Sequence, residues 1–293
     1  MDQANRLRDI VKARELNIVR EPVNSRVITV TSGKGGVGKS NLSLNLAILL
    51  RKLDKRVVLV DADLGLSNIE VLAGIIPKFS FGDVINSKIK LEAALTDGPL
   101  GLKFLSGGAG LTALSNLTEK QISVVVDNFG ALDDISDIIL IDTGAGISRN
   151  VISFIKASNE VILVVTPEPT SIADAYAIIK SLKRADGLTQ ALRVVVNMAN
   201  SYGEGLDIFE KLNKVSEQFL GVKLEILGVI PFDINVQRAV KKQEPLVLCY
   251  PHSECAKSIE NISYKLLNLQ SKYRQSASGI ATFMTRLVNN LRA

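Results

Sequence analysis

One stretch constrains this chain more than any other: Ser32-Gly33-Lys34-Gly35-Gly36-Val37-Gly38-Lys39-Ser40. It lies between an apolar run, Val27–Thr31, and a helix-like segment, Asn41–Leu53. A buried strand, a glycine-rich turn and a helix start are the context that a phosphate-binding loop requires. Gly33, Gly35, Gly36 and Gly38 let the backbone curl so that several N–H groups point into one concavity. That nest, backed by the positive end of the helix, suits a polyphosphate held along residues Gly33 to Asn41, Val37 included. Lys39 would reach the β- and γ-phosphates, and Ser40 would offer its hydroxyl to Mg²⁺. Lys34 is a second lysine that the plain motif does not contain. A solvated side chain is the bland alternative for it.

The remainder of the chain alternates. Apolar runs at Val27–Thr31, Arg56–Asp61, Leu102–Leu105, Asp137–Asp142, Glu160–Thr166, Arg193–Asn197 and Leu224–Ile230 read as strands. Helical patterns at Asn41–Leu53, Glu119–Leu132, Asn150–Ala157, Ser171–Leu182 and Ile208–Phe219 separate most of them. Continuous apolar strands alternating with helices predict an α/β fold, a doubly wound and mostly parallel sheet of about seven to eight strands. The composition agrees: 46% of residues are hydrophobic but only 5% aromatic, which is a Val/Ile/Leu core. The expected division is a docking segment and linker over 1–24, a nucleotide-binding domain over 25–270 and a C-terminal helix over 271–293.

Ligands of such sheets sit at the carboxyl ends of strands, so the polar residues there carry the chemistry. The run Arg56–Asp61 leads into Asp61-Ala62-Asp63-Leu64-Gly65. Two carboxylates two residues apart beside a phosphate loop would lie near the metal and the γ-phosphate. One can hold Mg²⁺ through water while the other orients the attacking water. Asp142, after four apolar residues, is a Walker-B-like aspartate for Mg²⁺. Gly144 is placed to set its N–H against the γ-phosphate. Asn197, and the turn Pro231-Phe232-Asp233, end later strands and are candidates to touch the base. The run Asn197-Met198-Ala199-Asn200 lacks the Asn-Lys-x-Asp of a guanine reader, which favours adenine.

Other classes are excluded or weakened. No apolar run approaches the ~20 residues of a membrane span, and the polar N-terminus is not a secretory signal. Two cysteines, Cys249 and Cys255, make no disulfide framework, so a reducing cytoplasm is the default. With His252 they supply three metal ligands at most, without a Cys-x-x-Cys pair. The net charge of +5 permits contact with nucleic acid or anionic lipid without demanding either.

Both ends have helical spacing. Ala4, Leu7 and Val11 form a narrow apolar stripe with Asp2 as a possible N-cap, opposite a basic face. A recognition helix for a partner's groove and a helix packed on its own domain fit that spacing equally. At the other end Ile280, Phe283, Met284, Leu287, Val288 and Leu291 share one face, with Arg286, Asn289, Asn290 and Arg292 opposite. That pattern suits a helix lying in a membrane interface. A terminal helix docked on the domain has the same pattern.

From about Arg26 to about Leu269 the chain resembles the MinD/ParA ATPases. The matching pieces are Lys-Gly-Gly-Val-Gly-Lys-Ser at 34–40, Asp-Ala-Asp-Leu-Gly at 61–65, Asp-Thr-Gly-Ala-Gly at 142–146 and Ile-Pro-Phe-Asp at 230–233. The resemblance implies ATP/ADP and Mg²⁺ as ligands and an ATP-dependent homodimer formed face to face. It makes Lys34 the lysine that crosses to the partner's nucleotide, Lys39 the phosphate lysine, Asp63 the hydrolytic carboxylate and Asp61 a more distant Mg²⁺ residue. Thr143-Gly144 replaces the Asp-x-Pro-Ala-Gly that MinD itself usually carries. The opening Asp2-Gln3-Ala4-Asn5-Arg6-Leu7-Arg8 is similar to the Asp-Gln-Ala-x-x-Leu-Arg element of the FlhG group, also called FleN or YlxH. That likeness implies a regulator of flagellar number. It would activate the FlhF GTPase, of the signal-recognition-particle type, through Asp2, Gln3, Ala4, Leu7 and Arg8. It also implies a cytoplasmic protein peripheral on the inner membrane surface, with further partners among flagellar switch (C-ring) and transcriptional proteins. A ParA-like ATPase on DNA and a non-hydrolysing scaffold are the alternatives, with DNA the less favoured partner.

Overall fold

A computed structural model describes residues 24–63, 68–86, 89–107, 118–184, 190–268 and 279–292. Its strands are β1 (Arg26–Ser32), β2 (Val57–Ala62), β3 (Thr96–Asp97), β4 (Lys103–Ser106), β5 (Ile138–Ala145), β6 (Glu160–Val165), β7 (Ala191–Ala199) and β8 (Glu225–Pro231). They form one eight-stranded sheet in the order β3-β4-β2-β5-β1-β6-β7-β8. All pairings are parallel except β3 with β4. The order reverses around β1 and β5, so a switch point opens at their carboxyl ends. The expected parallel sheet is present. The short antiparallel β3 has no apolar run to announce it.

The longer helices are α1 (Lys39–Lys52), α2 (Asn68–Ala73), α3 (Phe81–Ile85), α4 (Glu119–Gly130), α5 (Arg149–Ala157), α6 (Pro169–Arg184), α7 (Tyr202–Leu220), α8 (Ile234–Lys242), α9 (Glu254–Asn268) and α10 (Gly279–Arg292). Successive side chains of a strand point to opposite faces. Ile28 and Val30 therefore join α1 and α9 on one side, while Val27 faces α4, α5 and α10 on the other. Farther along that second side α5, α6 and α7 cover β6 and β7. Helix α7 starts six residues before the expected Ile208 because two glycines hide its first turn. Gly205 there lies so close to β8 that a Cβ would meet Val229 Cγ1 at 2.3 Å. At the amino ends of the central strands, opposite the switch point, Glu160 is buried between Arg26 and Arg193. Arg26 Nη1 also donates to the Leu266 carbonyl at 2.8 Å, tying down the end of α9.

The C-terminal helix is not separate from this core. Ile280, Phe283, Met284, Leu287, Val288 and Leu291 are all buried, and their neighbours are α4, α5 and β1. Burying side chains of this size supplies roughly 1.5–3 kcal/mol each. No helix among the described residues is long and apolar enough to cross a membrane. The N-terminal element, from Asp2 to Arg8, lies outside the described residues.

Candidate functional site

The glycine loop joins β1 to α1 at the switch point. Gly36 and Gly38 have φ of +79° and +83°, where a side chain would be strained. Space is also short at two positions. A Cβ at Gly33 would meet the Asp174 backbone at 2.4 Å, and one at Gly38 would meet Asn197 Nδ2 at 2.4 Å. Gly35 is exposed and open to space, and Val37 is buried beneath the loop. Asn41, on the first turn of α1, accepts from Asn45 Nδ2 at its side-chain oxygen, 3.0 Å.

Lys39 and Ser40 open α1. The Lys39 ammonium reaches Asp142 Oδ1 at 3.2 Å, and Ser43 donates to the same oxygen at 2.9 Å. Asp142 is fully buried at the carboxyl end of β5. Burial pushes its carboxyl up, against the opposing charge of Lys39 and the hydroxyls of Ser40 and Ser43. Its other oxygen, Oδ2, is buried and accepts no hydrogen bond within bonding distance among the described residues. A buried carboxylate oxygen without a donor is costly, and a cation bound beside it would offset that cost. With the Ser40 hydroxyl it offers the hard oxygen donors that suit a magnesium ion, directly or through water. These residues fit the metal that the sequence implies.

Asp61 and Asp63 leave β2 beside this pair. Asp61 is buried and does not point to solvent: Oδ1 accepts the Asp63 N–H at 3.0 Å and Oδ2 the Ile69 N–H at 3.4 Å. It therefore staples together the two ends of the segment between β2 and α2. Burial pushes its carboxyl up to about 7, with the Asp63 N–H acting against that and the neighbouring Asp142 adding to it. Asp63 is half-buried and faces Gly144, where a Cβ would lie 3.4 Å from Asp63 Oδ1. A cleft of about 180 Å³ opens between them, lined also by Thr143, Ser148, Val151 and Phe154. Gly146 donates its N–H to the Ser32 carbonyl at 2.9 Å, joining this second loop to the mouth of the first.

Lys34 is exposed but held. Its ammonium pairs with Glu168, and Thr170 Oγ1 accepts from it at 3.2 Å. Glu168 lies in the connection from β6 to α6, and Thr170 is in the first turn of α6.

The residues expected at a base are placed differently from one another. Asn197 Nδ2 donates to the Val37 carbonyl at 2.8 Å, so its amide braces the loop. Asp233 caps α8 through the Asn235 N–H at 2.8 Å and accepts the Cys255 N–H at 3.4 Å. Its carboxylate is engaged by two helix starts. Pro231 ends β8, and Phe232 stays 58% exposed beside it. The sequence reading overlooked Ser43 and Glu168. Ser43 was findable as a polar residue four positions after Lys39 on the same helix face. Glu168 follows the carboxyl end of β6, the strand paired with β1 beside the loop, so the strand-end argument reaches it as well.

A parallel sheet with this glycine loop, its buried lysine–aspartate pair and two carboxylates at the next strand end defines a P-loop nucleotide-binding protein. Residues 28–246 match the family model for the CobQ/CobB/MinD/ParA nucleotide binding domain. The antiactivator FleN of Pseudomonas aeruginosa is 44% identical over 241 residues, covering 82% of this chain and 86% of FleN. The flagellum site-determining protein YlxH of Helicobacter pylori is 34% identical, over 92% of this chain and 91% of its own. Among solved structures, the MinC:MinD cell division protein complex of Aquifex aeolicus superposes with a TM-score of 0.67 at 26% identity. That match covers 83% of this chain and 96% of the other. The chain belongs to the MinD/ParA family of nucleotide-binding proteins, and within it to the FlhG group that includes FleN and YlxH.

Proposed function

We propose that this protein is an ATP-driven positioning switch that controls flagellar number. The family membership and the FleN and YlxH relatives support the reading. Backbone N–H groups of the loop and Lys39 would hold the ATP phosphates. Ser40 and Asp142 would hold Mg²⁺, which supplies charge neutralisation at the β- and γ-oxygens. Asp61 would shape the metal site from one step away. Asp63, next to Gly144, would orient the attacking water. Lys34, released from Glu168, would act on the nucleotide of a second copy, in the manner of an arginine finger. Asp2, Gln3, Ala4, Leu7 and Arg8 would engage the FlhF-type GTPase.

One observation carries the link from nucleotide to location. The apolar face of α10 is buried against α5, and α5 follows directly on the loop of Gly144 and Ser148. A change in that loop on ATP binding and dimerisation would move the surface on which α10 rests. Freed, α10 would place six large apolar side chains and the basic Arg286 and Arg292 at an anionic membrane surface. Two such helices in a dimer would bind with avidity.

The test is co-sedimentation of the full chain with anionic vesicles under Mg·ATP or Mg·ADP. Asp63→Ala should bind ATP, turn over poorly and stay on vesicles; rapid turnover by that variant would remove Asp63 from its role. Truncation after Ser278 should abolish pelleting with vesicles, and undiminished pelleting would rule out α10 as the anchor.

A further inference from the structure

Both termini of the described chain meet on one carboxylate. Asp133 follows α4 at the edge of the groove that holds α10. Its Oδ1 accepts the N–H of Ser25 at 2.8 Å and the N–H of Ile280 at 3.2 Å. Ser25 is the residue before β1, and Ile280 is in the first turn of α10. The joint leaves little space. Gly279 has φ +67°, and a Cβ there would meet Asp133 Oδ2 at 2.6 Å and Asn24 Oδ1 at 3.2 Å. The start of α10 therefore rests on Asn24 and Asp133 together. The Ser25 hydroxyl adds a bond to the Ser136 carbonyl at 2.9 Å, fixing the entry to β1 on the same turn.

We propose that Asp133 is a latch shared by the two ends of the chain, so that release of α10 is felt where the N-terminal segment enters β1. The carboxylate offers one oxygen to the N–H groups of Ser25 and Ile280, residues 255 positions apart in sequence. A bond to a charged acceptor is worth more than a neutral one. When α10 leaves, Asp133 loses one donor and Asn24 loses the backbone packed on it. The entry to β1 at Asn24 and Ser25 is then held differently in the docked and undocked states. This rests on the reading of α10 as a helix that is released. It adds a physical route from that release to the partner-binding N-terminus.

The experiment is hydrogen exchange on the full-length protein with Mg·ADP and without lipid, comparing wild type, Asp133→Ala, Gly279→Ala and the double variant. Amides of 280–291 should exchange about tenfold faster or more in each single variant, the opening expected for loss of a bond to a charged group. The amides of Ser25 and Arg26 should speed up in Gly279→Ala as well, although that change lies on the other element. The double variant should match Asp133→Ala alone, because both changes break one joint. Amides of 138–142 in β5 report global folding and should be unchanged. Asp134→Ala, on the neighbouring exposed residue, should resemble wild type. The proposal is overturned if Gly279→Ala loosens α10 while Ser25 and Arg26 keep wild-type exchange, or if Asp133→Ala leaves 280–291 unaltered. Vesicle binding does not enter this measurement, so a failure of ATP-dependent membrane recruitment would be seen separately.

Discussion

The ring of Phe283 in α10 lies 6.2 Å, centroid to centroid, from the ring of Phe154 in α5, tilted by 38°. Phe154 also lines the cleft that Asp63 and Gly144 share. One phenylalanine thus borders both the nucleotide-proximal cleft and the docked helix. Removing the Phe283 ring should weaken docking without touching the loop. For a buried Phe→Ala change about 3–5 kcal/mol is typical. Phe283→Ala should therefore lower the unfolding midpoint and, in Mg·ADP without lipid, speed hydrogen exchange of the 280–291 amides. Wild-type behaviour in both assays would mean the contact carries no docking energy.

The Lys39–Asp142 pair is buried, and breaking such a pair costs about 3–5 kcal/mol when the survivor stays charged. Lys39→Ala should abolish nucleotide binding. Its effect on unfolding by urea should fall below that range, because Asp142 is already pushed toward its neutral form and can take up a proton. Asp142→Asn should likewise lose Mg²⁺-dependent nucleotide binding. Retention of wild-type affinity in Mg²⁺ by Asp142→Asn would refute the assignment of the orphaned oxygen. Calorimetric titration with and without Mg²⁺ measures both.

Asp61 gives a pH dependence of definite sign. Its carboxyl is raised from 3.8 to about 7 in the folded chain, first by burial. The unfolded chain therefore releases this proton at lower pH than the folded chain does. Below about pH 4 both forms are protonated and the group contributes nothing to the slope. Between about pH 4 and 7 the apo protein should lose stability as pH rises, by about 1.4 kcal/mol per pH unit at most. Above about pH 7 this contribution is flat. Metal-free Asp61→Asn should lack that slope. Urea unfolding of both proteins at pH 5, 6, 7 and 8 checks it; parallel curves would contradict the raised value.

Lys34 and Glu168 are both exposed, so their pairing is weak, about 1 kcal/mol or less. Glu168→Gln should free Lys34 for the second copy. The dimer dissociation constant in ATP should fall by up to about thirtyfold, the equivalent of about 1 kcal/mol from each of the two copies. Sedimentation velocity in Mg·ATP reads this directly. A dimerisation midpoint raised by the variant would show instead that Glu168 supports the dimer.

The loop and the sheet were legible because each has a local cause. Gly36 and Gly38 must take positive φ, and runs such as Val161–Val165 must be buried on both faces. Strand ends pointed to Asp61, Asp63 and Asp142 before any fold was known. Contacts between distant segments were not legible. That Asp61 ties Asp63 to Ile69, that Asp233 caps two helices and that Asn197 braces Val37 depends on backbone positions that no spacing encodes. Helix α9 was legible too, since Cys255, Ile259, Ile262 and Leu266 keep helical spacing and all are buried, whereas the shorter α8 buries only Ala239. The amphipathic α10 was legible as a helix, but its periodicity is the same for a membrane face and for a groove.

Hydrogen exchange of the full-length chain with anionic vesicles, in Mg·ATP and in Mg·ADP, tests the central claim most directly. With Mg·ADP the amides of 280–291 should stay protected at the rates of the lipid-free protein, and the protein should remain in the supernatant. With Mg·ATP the protein should pellet, and α5 residues facing the vacated groove, such as Phe154 and Ala157, should lose protection. Equal pelleting and equal protection of α5 with both nucleotides would contradict the account.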